Sequence, residues 1–186
     1  MALQIIIVKA KGKNDFKGII KCYEKKKNKW KDTVSCECVI GKKGIIPFKD
    51  KVEGDMATPS GVYTLGFVFG YDNKPNTKME YIRLTDKDIW IDDVCHPLYN
   101  QFVRGPVNAK SYEIMRRTDN LYKLGIVINY NREPVIKNKG SAIFIHIWED
   151  KKTPTKGCIA TDEHHIKSII EWLNPDKSPL IIIKQP

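Results

Sequence analysis

Two residues twelve positions apart carry the chemistry that can be read from this chain: His146, inside the run Ser141 to Trp148, and Cys158, which follows Gly157. Thiolate rather than thiol is the nucleophilic form of cysteine. Histidine is the side chain best suited to take a proton near neutral pH. Together they make the smallest set that can run covalent acyl transfer at sulfur. In an extended strand alternate side chains share a face, so Ala142, Phe144, His146 and Trp148 point one way while Ile143, Ile145 and Ile147 point the other. His146 is thus a polar exception in an apolar strand, satisfied there either by a structural hydrogen bond or by work as a base. Cys158 stands just before a segment with helix-start signals near Thr161, and Lys156 adds a positive charge; both favour the thiolate. Gly157 has no Cβ, which lets neighbouring N–H groups turn toward one point, as an oxyanion hole requires. A free cysteine alone can equally be a small buried hydrophobe.

Other groups point less sharply. Cys95-His96 and His164-His165 fit no zinc spacing, and no metal or cofactor is expected. Asp92 and Asp93 face opposite sides of a strand, which favours a turn or hydrogen-bonding role over an acid/base pair. Glu53 and Asp55 can brace the turn at Thr58 or touch a substrate. Tyr71, Trp90 and Tyr99 can line a cleft or pin loops to the core. Five cysteines, Cys22, Cys36, Cys38, Cys95 and Cys158, are an odd number without CxxC spacing, so at least one thiol stays free of any internal pair. Cys36 and Cys38 share a strand face and are poorly placed to bond each other.

The elements that must position these residues are mostly short strands. Leu3 to Val8 and Gly18 to Tyr23 are β-branched runs, Lys31 to Ile40 alternates in part, and Gly41 to Gly44 supplies a tight turn. Thr58-Pro59-Ser60-Gly61 leads into a strand from Val62 to Phe69. Tyr71 to Gly105 has no clean period and reads as a long irregular segment with one strand around Trp90. Ser111 to Arg117 suits a short helix, Leu124 to Tyr130 a buried strand, and Ser141 to Trp148 the clearest strand. Thr161 is the expected N-cap of a C-terminal helix whose apolar face is Ile166, Ile169, Ile170 and Leu173; Asn174-Pro175 stops it before a last strand from Leu180 to Ile183. The expectation is one mostly-β domain over residues 1–186, a curved sheet or sandwich closed by one long C-terminal helix.

The segment from Ser141 through Leu173, reading Ser-Ala-Ile-Phe-Ile-His-Ile-Trp, then Pro-Thr-Lys-Gly-Cys-Ile-Ala, then an amphipathic helix, resembles the catalytic motif of the L,D-transpeptidase (YkuD-type) family. That motif is a strand His, a variable loop, and Ser/Thr-His-Gly-Cys. Glu53-Gly54-Asp55, Thr58 to Gly61, Phe69-Gly70-Tyr71, Trp90 to Asp93 and Tyr99-Asn100-Gln101 look like landmarks of one branch, and the likeness runs over roughly residues 30–184. The resemblance implies Cys158 as nucleophile, His146 as its base, and the amides of Gly157 and Cys158 as oxyanion donors. It puts Thr155 at the Ser/Thr position, near the histidine or the substrate. Lys156, Trp148 and Tyr71 are further candidate substrate contacts. Similar proteins attack the third residue of a peptidoglycan stem, release D-alanine and pass the thioester to an amine, giving a cross-link, or to water, as carboxypeptidases do. The chain departs from the pattern at Lys156, where a second His is usual, and at Ala160, where Arg or Asn often stands.

Composition bounds the rest. With 41% hydrophobic and 29% charged residues, the 186-residue chain is long enough to bury a core without staples. A net charge of +10 draws in polyanions. Only five of its 32 basic residues are Arg, whereas nucleic-acid readers lean on Arg, so no nucleic acid is expected. Anionic wall polymers suit a Lys coat. The densest run, Lys25 to Lys31 around Trp30, reads as a solvated hairpin end. There is no apolar window of about 18 residues to cross a membrane and no signal-peptide order at the N-terminus. A monomer at the cell envelope, its export signal removed, is the expected setting, with a cytosolic one still open. A non-catalytic wall-binding module with an inert cysteine is the alternative to an enzyme.

Overall fold

Alternation of buried and exposed side chains sets the architecture of the computed structural model, which describes all 186 residues. The strands are β1 (Gln4–Ala10), β2 (Lys17–Lys26), β3 (Lys29–Val39), β4 (Ile45–Ile46), β5 (Thr58–Pro59), β6 (Gly61–Gly70), β7 (Tyr81–Arg83), β8 (Asp88–Ile91), β9 (Phe102–Arg104), β10 (Tyr112–Ile114), β11 (Leu124–Ile128), β12 (Phe144–Ile147), β13 (Ile159–Thr161) and β14 (Leu180–Lys184), with one helix, α1 (Glu163–Trp172). The main sheet runs β11-β12-β13-β3-β2-β1-β14-β6-β7, and β11 also pairs with β6, so the sheet closes on itself and leaves few open edges. Its thinnest seam is β13 against β3, joined through Ala160 and Val39 alone. Small sheets β10-β8-β9 and β4-β5 lie outside it.

Two cores result. Ile143, Ile145 and Ile159 pack in the larger one, with Ile6, Val8, Ile20, Ile126 and the buried face of α1 (Ile166, Ile169, Ile170). Ala142, Phe144 and Cys158 pack in the smaller, with Phe69, Trp90, Met115 and Tyr122. The alternation expected across residues 142–148 is therefore the division between the cores.

Four local expectations shift. Ser111 to Arg117 is not helical: Tyr112, Glu113 and Ile114 pair with Ile91, Trp90 and Ile89, and this tertiary pairing outweighs local preference. The run from Ser141 is regular only over β12, because Ala142 adopts φ +52°. Asp162, not Thr161, caps α1, accepting from the His165 amide, while Thr161 pairs with Ile147 as strand. α1 itself spans 10 residues and ends at Trp172, so it is of ordinary length.

Candidate active site

Parallel pairing of β12 and β13 sets Ile145 against Ile159 and His146 against Ala160. Cys158, one residue before β13, therefore meets the strand at Phe144, on the face that also carries His146. The Phe144 amide donates to the Cys158 Sγ at 3.4 Å, and the thiol donates to the Ala142 carbonyl at 3.1 Å. Both residues open on one cleft of about 370 Å³, lined also by Trp148, Thr155, Lys156 and Gly157.

His146 is held by its neighbour's backbone: Nδ1 lies 2.8 Å from the Ile147 carbonyl. A carbonyl only accepts, so Nδ1 carries the proton and Nε2 keeps its lone pair. The Tyr122 ring packs edge-on against the imidazole at 5.1 Å, and the Arg117 guanidinium lies over Tyr122 at 5.1 Å. Burial lowers the imidazole to about 4, so it is neutral near pH 7.

The thiol is not the preformed thiolate expected from sequence. Burial pushes Cys158 up, and Glu113 adds to the effect. The helix cannot oppose this, since Ile159–Thr161 is strand and α1 starts only at Glu163, beyond the reach of a dipole that fades within one turn. At neutral pH the pair is thiol and imidazole.

The turn carrying Cys158 is fixed from both ends. Thr155 Oγ1 donates to the Cys158 carbonyl at 2.6 Å and accepts the Gly157 amide at 3.1 Å, so this hydroxyl braces the turn. Thr58 Oγ1 donates to the Gly157 carbonyl at 2.8 Å and accepts the Gly41 amide at 2.8 Å. Gly157 adopts φ +148°, and a Cβ there would lie 3.1 Å from the Ala57 carbonyl oxygen. Of the two amides expected as oxyanion donors, that of Gly157 is thus engaged, while that of Cys158 has no partner within the chain.

Tyr71 stands apart from the cleft. It is buried in the smaller core, its ring beside the Arg116 guanidinium and its hydroxyl accepting the Arg117 amide at 2.9 Å. Trp90 and Tyr99 likewise pin structure. The Trp90 Nε1 donates to Asn100 Oδ1 at 2.9 Å, and the Tyr99 hydroxyl donates to Glu53. Asp55 braces its own turn, accepting from Lys51 at 2.6 Å and the Ala57 amide at 2.9 Å. Asp93 accepts the amides of Cys95 and Lys110.

Several cleft residues carried no signal in the sequence. Glu113 and Tyr122 face the thiol, Arg117 sits 3.7 Å from Glu113, and the buried oxygens Asp92 Oδ1 and Ser141 Oγ have no hydrogen-bond partner. Glu113, Arg117 and Tyr122 come from segments with no motif, brought in by the β8–β10 pairing and the loop after it, whereas Asp92 and Ser141 lie in stretches singled out above.

A family model described as the L,D-transpeptidase catalytic domain matches residues 13–182. Among solved structures, Bd1075 of Bdellovibrio bacteriovorus superposes with a TM-score of 0.50 at 16% identity, covering 98% of this chain and 51% of that one. The likeness is one of fold, and the chain spans about half the length of that protein. No curated protein matches the chain in sequence.

Proposed function

The chain belongs to the L,D-transpeptidase catalytic domain family, and from that premise we propose that it forms a thioester between Cys158 and the third residue of a peptidoglycan stem. His146 Nε2 takes the thiol proton as Sγ attacks the carbonyl carbon. The oxygen that gains charge accepts the free Cys158 amide. Collapse breaks the peptide bond, and the departing D-alanine nitrogen takes the proton back from His146. An amine of a second stem then attacks the thioester, gives a proton to the histidine, and the thiolate leaving group recovers it. Water in place of the amine gives a carboxylate product. The reading places the protein at the cell wall.

The observation that supports it is the bond from His146 Nδ1 to the Ile147 carbonyl, on a residue sharing strand face and cleft with Cys158. Whole-protein mass spectrometry after exposure to a carbapenem tests it. One adduct on the wild type and none on Cys158→Ala is expected; an adduct that survives Cys158→Ala sinks the proposal. Muropeptide dimers among the products identify cross-linking, and trimmed monomers alone identify hydrolysis.

A further inference from the structure

Position 156 sets a cation beside the nucleophile. The Thr155 amide donates to the Ile40 carbonyl at 3.0 Å, the Thr155 carbonyl accepts the Lys42 amide at 3.0 Å, and its hydroxyl braces Gly157 and Cys158. The backbone of Lys156, between these anchors, is therefore fixed relative to the sulfur. Its exposed side chain lines the cleft of Cys158. Two residues of chain span at most about 7 Å, and a flexible four-carbon stem carries the ammonium over most of that distance.

The ionic groups of the cleft are unevenly matched. Lys51 is paired with Asp55 at 2.6 Å, and Arg117 with Asp119 and Glu113. Lys156 has no ion-pair partner. Its charge is nonetheless felt inside the cleft. Burial raises the Glu113 carboxyl and Asp92 adds to this, while Tyr122, Arg117 and Lys156 draw it back down. An anion brought in with a substrate meets Asp92 and Glu113, which repel it, and Lys156 is the cleft cation left to offset them. Ala160, buried on the same wall, has no charge to offer.

A peptide cut one residue from its end brings such an anion. Its terminal carboxylate belongs to the residue just beyond the scissile carbonyl, within about 4 Å of it. With that carbonyl at the sulfur, the carboxylate falls inside the reach of the Lys156 ammonium. We infer that Lys156 binds the free terminal carboxylate of the peptide, on the residue that leaves when Cys158 attacks. The inference rests on the acyl-transfer reading above and adds to it a specificity: the protein removes a single terminal residue and disfavours bonds within a chain, where no carboxylate follows the scissile carbonyl.

The test reads a ratio that a merely structural lysine leaves alone. Two stem tetrapeptides, one ending in D-alanine with a free carboxylate and one in D-alaninamide, are compared by release of the terminal residue, followed by mass spectrometry. At low salt kcat/KM is expected to be about fivefold higher for the acid, the upper range of an exposed ion pair, with the gap closing at 1 M salt. Lys156→Met is expected to abolish the difference, Lys156→Arg to keep it, and Lys156→Glu to favour the amide. Equal turnover of acid and amide by the wild type, or an equal loss on both in Lys156→Met, overturns the inference. So does a Lys156-dependent preference that vanishes when the peptide's other carboxylates are amidated and its terminal one is left free, which assigns the ammonium elsewhere. Calorimetric titration of Cys158→Ala protein with the same peptides separates the subsite from the chemistry. A Lys156-dependent preference for the acid there, beside a wild type that releases nothing, keeps the subsite and removes the acyl-transfer reading. Equal affinities beside such a wild type remove both.

Discussion

The Phe144 amide donates to the Cys158 sulfur at 3.4 Å, which sets the thiol two residues from His146 along one strand face, about 7 Å of backbone. An imidazole side chain bridges much of that distance. The sulfur's present partners, one weak donor and the Ala142 carbonyl, keep it a thiol until a base is offered.

Removing the base therefore slows acylation instead of merely shifting its pH dependence. His146→Gln is expected to lower the carbapenem acylation rate by about 10²–10⁴, the range of a lost general base, while Cys158→Ala abolishes it. Stopped-flow absorbance or timed mass spectrometry measures both. Acylation by His146→Gln within a factor of three of wild type would remove the histidine from the mechanism.

The thiol itself is expected to be sluggish. Burial and Glu113 both disfavour the thiolate, so iodoacetamide labels the exposed Cys95 first and labels Cys158 only at higher pH. Glu113→Gln removes a neighbouring negative charge and shifts Cys158 labelling to lower pH. Peptide mapping after timed alkylation reads the two sites separately. Labelling of Cys158 ahead of Cys95 at pH 7 would show a preformed thiolate.

Buried His146 makes stability depend on pH. Its folded value is lowered to about 4, so between that and the unfolded value of about 6.5 the unfolded chain binds a proton that the native chain refuses. The native state accordingly loses stability as pH falls through this window, by up to about 3 kcal/mol from this group. Urea unfolding at pH 7 and pH 4 is expected to show a smaller loss for His146→Gln than for the wild type. Equal losses in the two proteins contradict a buried neutral imidazole.

How much of this was legible in the sequence depended on distance along the chain. The alternation through residues 142–148 and the Gly-Cys pair were visible because a strand face and a glycine at φ +148° leave local marks. The strands at both ends of the chain showed as β-branched runs. Glu113 and Tyr122 act on the site through register and loop packing and carry no local mark, while Thr58 and Asn100 were marked only as landmarks of the resemblance, without a role. The error over the thiolate came first from burial, which leaves no local mark, and from Glu113, which is distant in sequence; the helix offers no compensation. Ile159–Thr161 pairs with β12 as strand, which separates the sulfur from the start of α1 at Glu163. Tyr71 was misplaced because an aromatic in an irregular segment can face cleft or core, and its hydroxyl found the Arg117 amide.

Gly157 is expected to resist even the smallest side chain. At φ +148° a Cβ is strained, and it would sit 3.1 Å from the Ala57 carbonyl oxygen. Gly157→Ala should cost about 1–3 kcal/mol, read as a lower urea midpoint, and should slow acylation as the Cys158 amide turns away. A fully stable, fully active Gly157→Ala is incompatible with the turn described above.

Asn100 gives the sharpest test of how the nucleophile is positioned. Its Oδ1 accepts from Trp90 Nε1 at 2.9 Å and from the Ala142 amide at 3.1 Å, and its Nδ2 donates to the carbonyls of Tyr130 at 3.0 Å and Asn131 at 2.7 Å. The chain from Asn100 through the Ala142 backbone to the Cys158 thiol is continuous, since the Ala142 carbonyl is the thiol's acceptor. Asn100→Ala leaves two donors and two acceptors buried without partners, expected to cost about 2–4 kcal/mol and to lower Tm by roughly 5–15 °C. Asn100→Asp keeps the acceptor for Ala142 and Trp90 and loses only the donors to Tyr130 and Asn131. If Asn100 acts through Ala142, the Asp variant, once folded, acylates much nearer the wild-type rate than the Ala variant at a temperature where both are native. Equal acylation by the two would mean that the amide serves the core alone and that Cys158 is positioned by Thr58 and Thr155.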